Sequence, residues 1–173
     1  FDDCVTLVDL DTARHITDIS LGPRPTDGDY ERGEQLFFDA TLSRDGWMSC
    51  HSCHVDGHSN GQLNDNLGDA GYGAPKRVLS LLGTVDTGPW AWNGQVHSLR
   101  DQVLQSVTTT MRGPKPSARQ ARDLVAFLRG LGDSAPGLKP KTPVQQQSVQ
   151  RGGRLFQRFN CTRCHPAPYY TSY

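Results

Sequence analysis

Two copies of one short pattern constrain this chain more than anything else in it. Cys50-His51-Ser52-Cys53-His54 and Cys161-Thr162-Arg163-Cys164-His165 both read Cys-x-x-Cys-His. Two intervening residues let a single helical turn offer both sulfurs to the vinyl edges of one porphyrin. The His that follows aims its imidazole at the iron from the same face, so the pattern is the attachment signature of c-type haem. Zinc is the competing reading of two Cys-x-x-Cys pairs. Cys53 and Cys161 stand far beyond the loop of a zinc ribbon, however, and zinc does not require a His directly after each pair. A thioredoxin-like redox pair needs a βαβ setting, and none is visible. The fifth cysteine, Cys4, reads as a free buried thiol in a strand. The motifs therefore predict two covalently bound haem c groups, one on Cys50, Cys53 and His54, the other on Cys161, Cys164 and His165. They also predict a periplasmic or exported location, because this attachment takes place outside the bacterial cytoplasm. His51 fills a variable slot in its motif and is expected to be exposed.

Composition agrees with a chain that leans on a cofactor. Only 35% of the 173 residues are hydrophobic, with 18 Gly and 11 Pro. Counting Gly, the apolar share reaches about 45%, the low end for a globular protein. Two porphyrins would add apolar surface that the side chains lack. No stretch approaches the roughly 18 apolar residues of a spanning helix. Lys plus Arg and Asp plus Glu stand at 18 each, so charge points neither to nucleic acid nor to an anionic membrane.

Residues 1–25 read as a β-hairpin: Val5-Thr6-Leu7-Val8 and the alternating His15–Leu21 flank a polar turn. The stretch from Val5 to Pro25 resembles one edge of a seven-bladed surface-layer-type propeller repeat. A helix is expected from about Asp29, with Leu36 and Phe37 on its apolar face. Residues 57–77, rich in Gly, Asn and Asp, predict long loops. A second helix is expected over Ser98–Val107. The clearest helix is Ser117–Leu131, capped by Ser117, with Ala121, Leu124, Val125, Leu128 and Leu131 recurring at helical steps. Residues 133–147 read as a linker. An internal repeat sits ahead of each motif: Arg32-Gly33-Glu34-Gln35-Leu36-Phe37 and Arg151-Gly152-Gly153-Arg154-Leu155-Phe156. The expected fold is mainly α, a cytochrome c fold. One complete domain spans 29–132, and a second, truncated one spans 148–173.

The segment Arg32–His54, RGEQLFFDATLSRDGWMSCHSCH, resembles the entry to the first haem of bacterial di-haem cytochrome c peroxidases and their MauG-like relatives. Gly88–Gln95 with Leu99 and Gln102 resembles that family's W-D-G-R…L…Q stretch. Arg151–Thr171 is similar to the start of its second haem domain. The resemblance implies tandem cytochrome c folds, electron passage between haems and, in many members, hydrogen peroxide reduction. Three departures stand out. Where the family carries an acidic residue before a Met, this chain has Thr110 before Met111. The loop Asp69–Lys76 lacks the distal His of relatives and offers Tyr72. The second domain lacks everything after its motif, including its usual Met ligand.

His54 and His165 are the expected proximal ligands. Met111 follows the first motif and long loops and precedes the last helix, the order of a class I cytochrome c, so its thioether is expected on the opposite face of haem 1. Met48 sits on the attachment side as packing. Arg77 and Trp92 are the expected propionate partners. His58 and His97 are read as solvated or structural. Electron transfer is the favoured function, with a cytochrome or cupredoxin-like redox partner and no nucleic acid. Homodimerisation through the second haem unit is a further expectation. A peroxidase with Gln102 in the distal pocket is the alternative, and a ligand sensor or the haem domain of a larger propeller enzyme is the third reading.

Overall fold

The computed structural model describes residues 4–22, 27–69, 71–132 and 140–170. The Pro-rich stretch 23–26 and residues 133–139 of the linker expected over 133–147 lie outside the described residues.

The chain opens on an antiparallel pair, β1 (Cys4–Val8) and β2 (His15–Ser20), in which Val5 faces Ile19 and Leu7 faces Thr17. Asp9 closes the turn by accepting from the backbone N–H groups of Asp11 and Thr12. Cys4 is half-buried and free rather than buried. Four helices follow that build the core and its entrance: α1 (Asp29–Phe38), the single-turn α2 (Cys50–Cys53), α3 (Leu99–Gln105) and α4 (Ala118–Gly130). Between α2 and α3 the chain makes 3-10 turns and a two-residue ladder of β3 (Leu63–Asn64) with β4 (Lys76–Arg77).

The principal packing is α1 on α4. Gly33 makes it possible: a Cβ there would lie 1.9 Å from the carbonyl oxygen of Asp123. Gly130 plays the same part against the Tyr30 ring, 2.2 Å from where its Cβ would stand. Beside Gly33, Arg32 forks onto the buried Asp123 carboxylate, Nε to Oδ2 at 2.9 Å and Nη2 to Oδ1 at 3.0 Å. That hydrogen-bonded guanidinium holds the Asp123 carboxyl below the usual carboxylate range, against the opposing pull of burial. Phe37 (1% exposed) then meets Phe127, with ring centroids 5.0 Å apart. Leu42, Leu99, Val103, Val107, Met111, Leu124 and Leu128 complete the core.

Helix α4 begins as its sequence dictates. Ser117 Oγ accepts from Gln120 N, and Gln120 Oε1 accepts from Ser117 N, a reciprocal cap. Its buried face holds Ala121, Leu124 and Leu128 but also Phe127 and Asp123, while Val125 and Leu131 are only partly covered.

Two expectations need correction. Helix α3 does not run on regularly to Val107. After Gln105 it widens into a π-helical segment, Ser106–Thr110, closed by Met111 N donating to Ser106 O at 2.9 Å. The linker also ends sooner than expected. Helix α5 (Pro143–Arg158) takes up 143–147, with Thr142 Oγ1 accepting from Gln145 N and Pro143 in the first turn, where a missing N–H costs nothing. No residue of α5 is buried.

Candidate functional site

The first motif forms one helical turn. Ser49 N donates to Ser52 Oγ at its start, and His54 N donates to Cys50 O at its end. Cys50, Cys53 and His54 all line one cavity of about 360 Å³. Burial pushes the Cys50 thiol up to about 11, so its sulfur is a neutral group facing an apolar space. Burial also lowers the His54 imidazole below its ordinary value, which keeps the ring neutral. His54 Nδ1 lies 2.9 Å from the Leu79 carbonyl and 3.4 Å from that of His58. A carbonyl only accepts, so Nδ1 carries the proton and Nε2 keeps a lone pair for a metal. The Leu79 carbonyl is held in place because Leu81 N donates to Gly57 O and Ser59 Oγ donates to Val78 O.

Helix α3 and the π-segment supply a further part of the lining. Leu99, Gln102, Val103, Ser106, Val107, Thr110 and Met111 all line the cavity. The extra residue of the π-turn brings Ser106, Thr110 and Met111 to the same space. Met111 is 5% exposed, and its carbonyl accepts from Arg44 N at 3.0 Å. Gln102 Nε2 donates to Ser106 Oγ at 3.1 Å, while its Oε1 is buried with no partner. Thr110 Oγ1 lies 3.5 Å from Asn66 Oδ1, and Gln105 Nε2 donates to Gly68 O, which fastens the 66–68 turn to the π-segment. Among the described residues that line the cavity none is Asp or Glu, and His54 is the one His.

At the mouth, Arg77 and Trp92 line the cavity, are exposed, and have no hydrogen-bond or ion-pair partner among the described residues. The indole of Trp90, in contrast, is committed to Thr84 O at 2.9 Å. Met48 also lines the cavity and packs against the core. The donor set suits a c-type haem: two cysteines and an oriented imidazole from the first motif, a buried thioether at the end of the π-segment, and an uncommitted cation and indole at the rim. The orphaned Gln102 oxygen marks a space that wants a further polar atom.

His51 is a correction. It is half-buried, not exposed, because its ring lies 4.6 Å from that of Phe38 and its Nε2 is 3.3 Å from Asp56 Oδ1. His58 and His97 are exposed. The Arg112 guanidinium reaches the Tyr72 hydroxyl at 2.8 Å, a contact with no sequence signal.

The second motif stands on a 3-10 turn, Cys161–Arg163, after α5. Cys161 is half-buried, and Cys164 and His165 are exposed. His165 Nδ1 lies 2.9 Å from the Tyr170 carbonyl, so this imidazole too presents Nε2. Phe156 packs at 6.4 Å from His165 and 5.9 Å from Tyr170, centroid to centroid.

Residues 29–133, more than half of the chain, match the family model of di-haem cytochrome c peroxidases. The chain belongs to that family. The match leaves the N-terminal hairpin outside it. The gamma subunit of hydrazine synthase from Kuenenia stuttgartiensis is 26% identical over 148 residues, covering 78% of this chain and 41% of that protein. The cytochrome c551 peroxidase of Nitrosomonas europaea is 23% identical, with 80% and 51% covered. The methylamine utilization protein MauG of Methylophilus methylotrophus is 25% identical, with 77% and 50% covered. The chain thus spans about half the length of these relatives or less. A solved structure of Kuenenia stuttgartiensis hydrazine synthase shares the fold, with a TM-score of 0.63 at 24% identity over 84% of this chain and 50% of that one. The fold is mainly α and cytochrome-like. Among the described residues no helix is long and apolar enough to cross a membrane.

Proposed function

We propose that this chain is a di-haem c-type electron-transfer unit of the peroxidase family that has given up peroxide cleavage. The absence of any carboxylate among the described residues lining the cavity carries this reading. Splitting an O–O bond calls for an acid/base group beside it, and the hydroxyl of Thr110 does not ionise near neutral pH. Cys50 and Cys53 would anchor the first haem, His54 and Met111 would offer a nitrogen and a thioether sulfur to its iron, and Arg77 and Trp92 would hold its propionates. Cys161, Cys164 and His165 would anchor the second. Such a group supplies an iron that takes up and releases one electron. The protein's part is to fix both faces, so that little rearranges when the charge changes. Attachment of this kind places the protein in the periplasm or beyond it.

Met111→Ala should abolish the weak charge-transfer band of a ferric His/Met centre and lower the midpoint potential. Peroxide turnover with a reduced donor should stay near that of a free haem peptide. Turnover far above that level would overturn the reading. One observation favours the alternative, a ligand-binding or peroxidatic first haem: the unpartnered Gln102 oxygen. A high-spin signal from the first haem, unchanged by Met111→Ala, would decide for it.

A further inference from the structure

The segment that leads into the first motif presents an exposed Trp47, 73% accessible, with no hydrogen bond or ring contact among the described residues. An indole in water immediately before a haem-binding turn is unusual, because this large apolar side chain normally finds cover. Its neighbour Met48 lines the haem cavity, and Met48 N donates to Ser43 Oγ. The indole therefore sits one residue from the cavity wall.

The same rim is basic in a chain whose formal charge is zero. Arg44 N donates to Met111 O, and Gly113 lies so close to the 42–43 backbone that a Cβ would be 1.8 Å from Leu42 O. Segments 40–48 and 111–116 are thus held side by side. Between them they carry Arg44, Arg112 and Lys115, all exposed, against the single carboxylate of Asp45, which lies 3.5 Å from Arg44. Arg112 is satisfied by the neutral Tyr72 hydroxyl and keeps its charge. Trp and Arg are the residue types that dominate protein–protein binding energy, and a ring of one charge steers an oppositely charged partner to them.

We infer that this rim docks a small acidic electron-carrier protein, whose carboxylates meet Arg44, Arg112 and Lys115 around an apolar spot that covers Trp47. The inference rests on the electron-transfer reading above and names the kind of partner. One electron passes between the two proteins per encounter, one being oxidised as the other is reduced, with no atom transferred.

The test is calorimetric titration of the holoprotein with an acidic plastocyanin, and separately with a basic cytochrome c of mitochondrial type. The plastocyanin should bind, and raising salt from about 20 to 300 mM should weaken it at least tenfold. The double variant Arg44→Glu, Lys115→Glu should weaken it by about tenfold, and Trp47→Ser by about as much, with the haem spectrum unchanged. Equal or tighter binding of the basic cytochrome, or unaltered affinity in both variants, overturns the docking surface. Failure of the underlying reading looks different: the holoprotein then turns over peroxide, whatever these variants do to binding.

Discussion

The two Cys-x-x-Cys-His motifs share their letters and little of their surroundings. In the first, the imidazole is aimed by the carbonyl of Leu79, brought in from a distant loop, and the motif opens onto a buried cavity. In the second, the imidazole is aimed by the carbonyl of Tyr170, in the turn that follows, and the motif stands in the open. The repeat ahead of each motif differs in the same way. Arg32, Gly33 and Phe37 are met by Asp123 and Phe127 of α4, whereas among the described residues Arg151 reaches only Ser148 and a Cβ at Gly152 would meet nothing within 4 Å. A short pattern thus specifies the chemistry of attachment, while tertiary contacts decide how firmly the attached group is framed.

The largest test of that contrast is at the paired aromatics. Phe37→Ala should cost about 4 kcal/mol in urea unfolding of the holoprotein, as for other buried aromatics. Phe156→Ala should cost about 1 kcal/mol or less, since it leaves a half-exposed site. Equal losses would mean that the second motif is framed as tightly as the first, and the contrast would fall. Next come the paired glycines. Gly33→Ala drives a methyl into the Asp123 backbone and should cost about 3 kcal/mol. Gly152→Ala fills open space on a helix and should stabilise by about 0.5–1 kcal/mol. A destabilised Gly152→Ala protein would reveal a neighbour pressed against α5.

The smallest effect is in acid. Arg32 lowers the Asp123 carboxyl in the folded state, so the pair contributes stability above the unfolded carboxyl's value of about 4. That contribution is lost as pH falls through the lower folded value. Asp123→Asn should therefore be less stable than the parent at pH 7, with the gap closing below about pH 4. Serine at position 148 gives Arg151 no such carboxylate, and Ser148→Ala should leave the acid limb unchanged. A gap that does not narrow at all on acidification would assign the Asp123 effect to packing.

Features that depend on neighbours in sequence were legible. The α4 cap is written in Ser117 and Gln120, the start of α1 in the position of Asp29, and the haem-binding turn in its cysteines. What escaped depends on partners far along the chain or on groups without a side chain. Asp123 has its partner Arg32 far away in the chain, and nothing local in the sequence points to that pairing. Leu79 contributes a backbone carbonyl, which every residue has. The start of α5 could have been found from Thr142-Pro143, a cap followed by a first-turn proline, but the prolines upstream suggested a longer linker.

The π-turn at Ser106–Thr110 carries a consequence for how this site tolerates change. Its one surplus residue is a register offset, and each residue of an α-helix turns the chain by about 100°. Closing this turn regularly with all its residues retained would swing Met111 roughly 100° out of line with the cavity, whereas deleting a single threonine from Thr108–Thr110 would turn the Met111 N to Ser106 O bond into an ordinary α-helical one and leave Met111 in register. The place of Met111 in the cavity lining is therefore encoded by how this turn closes, and a change that forced a regular turn there without removing a residue would reach further than most substitutions.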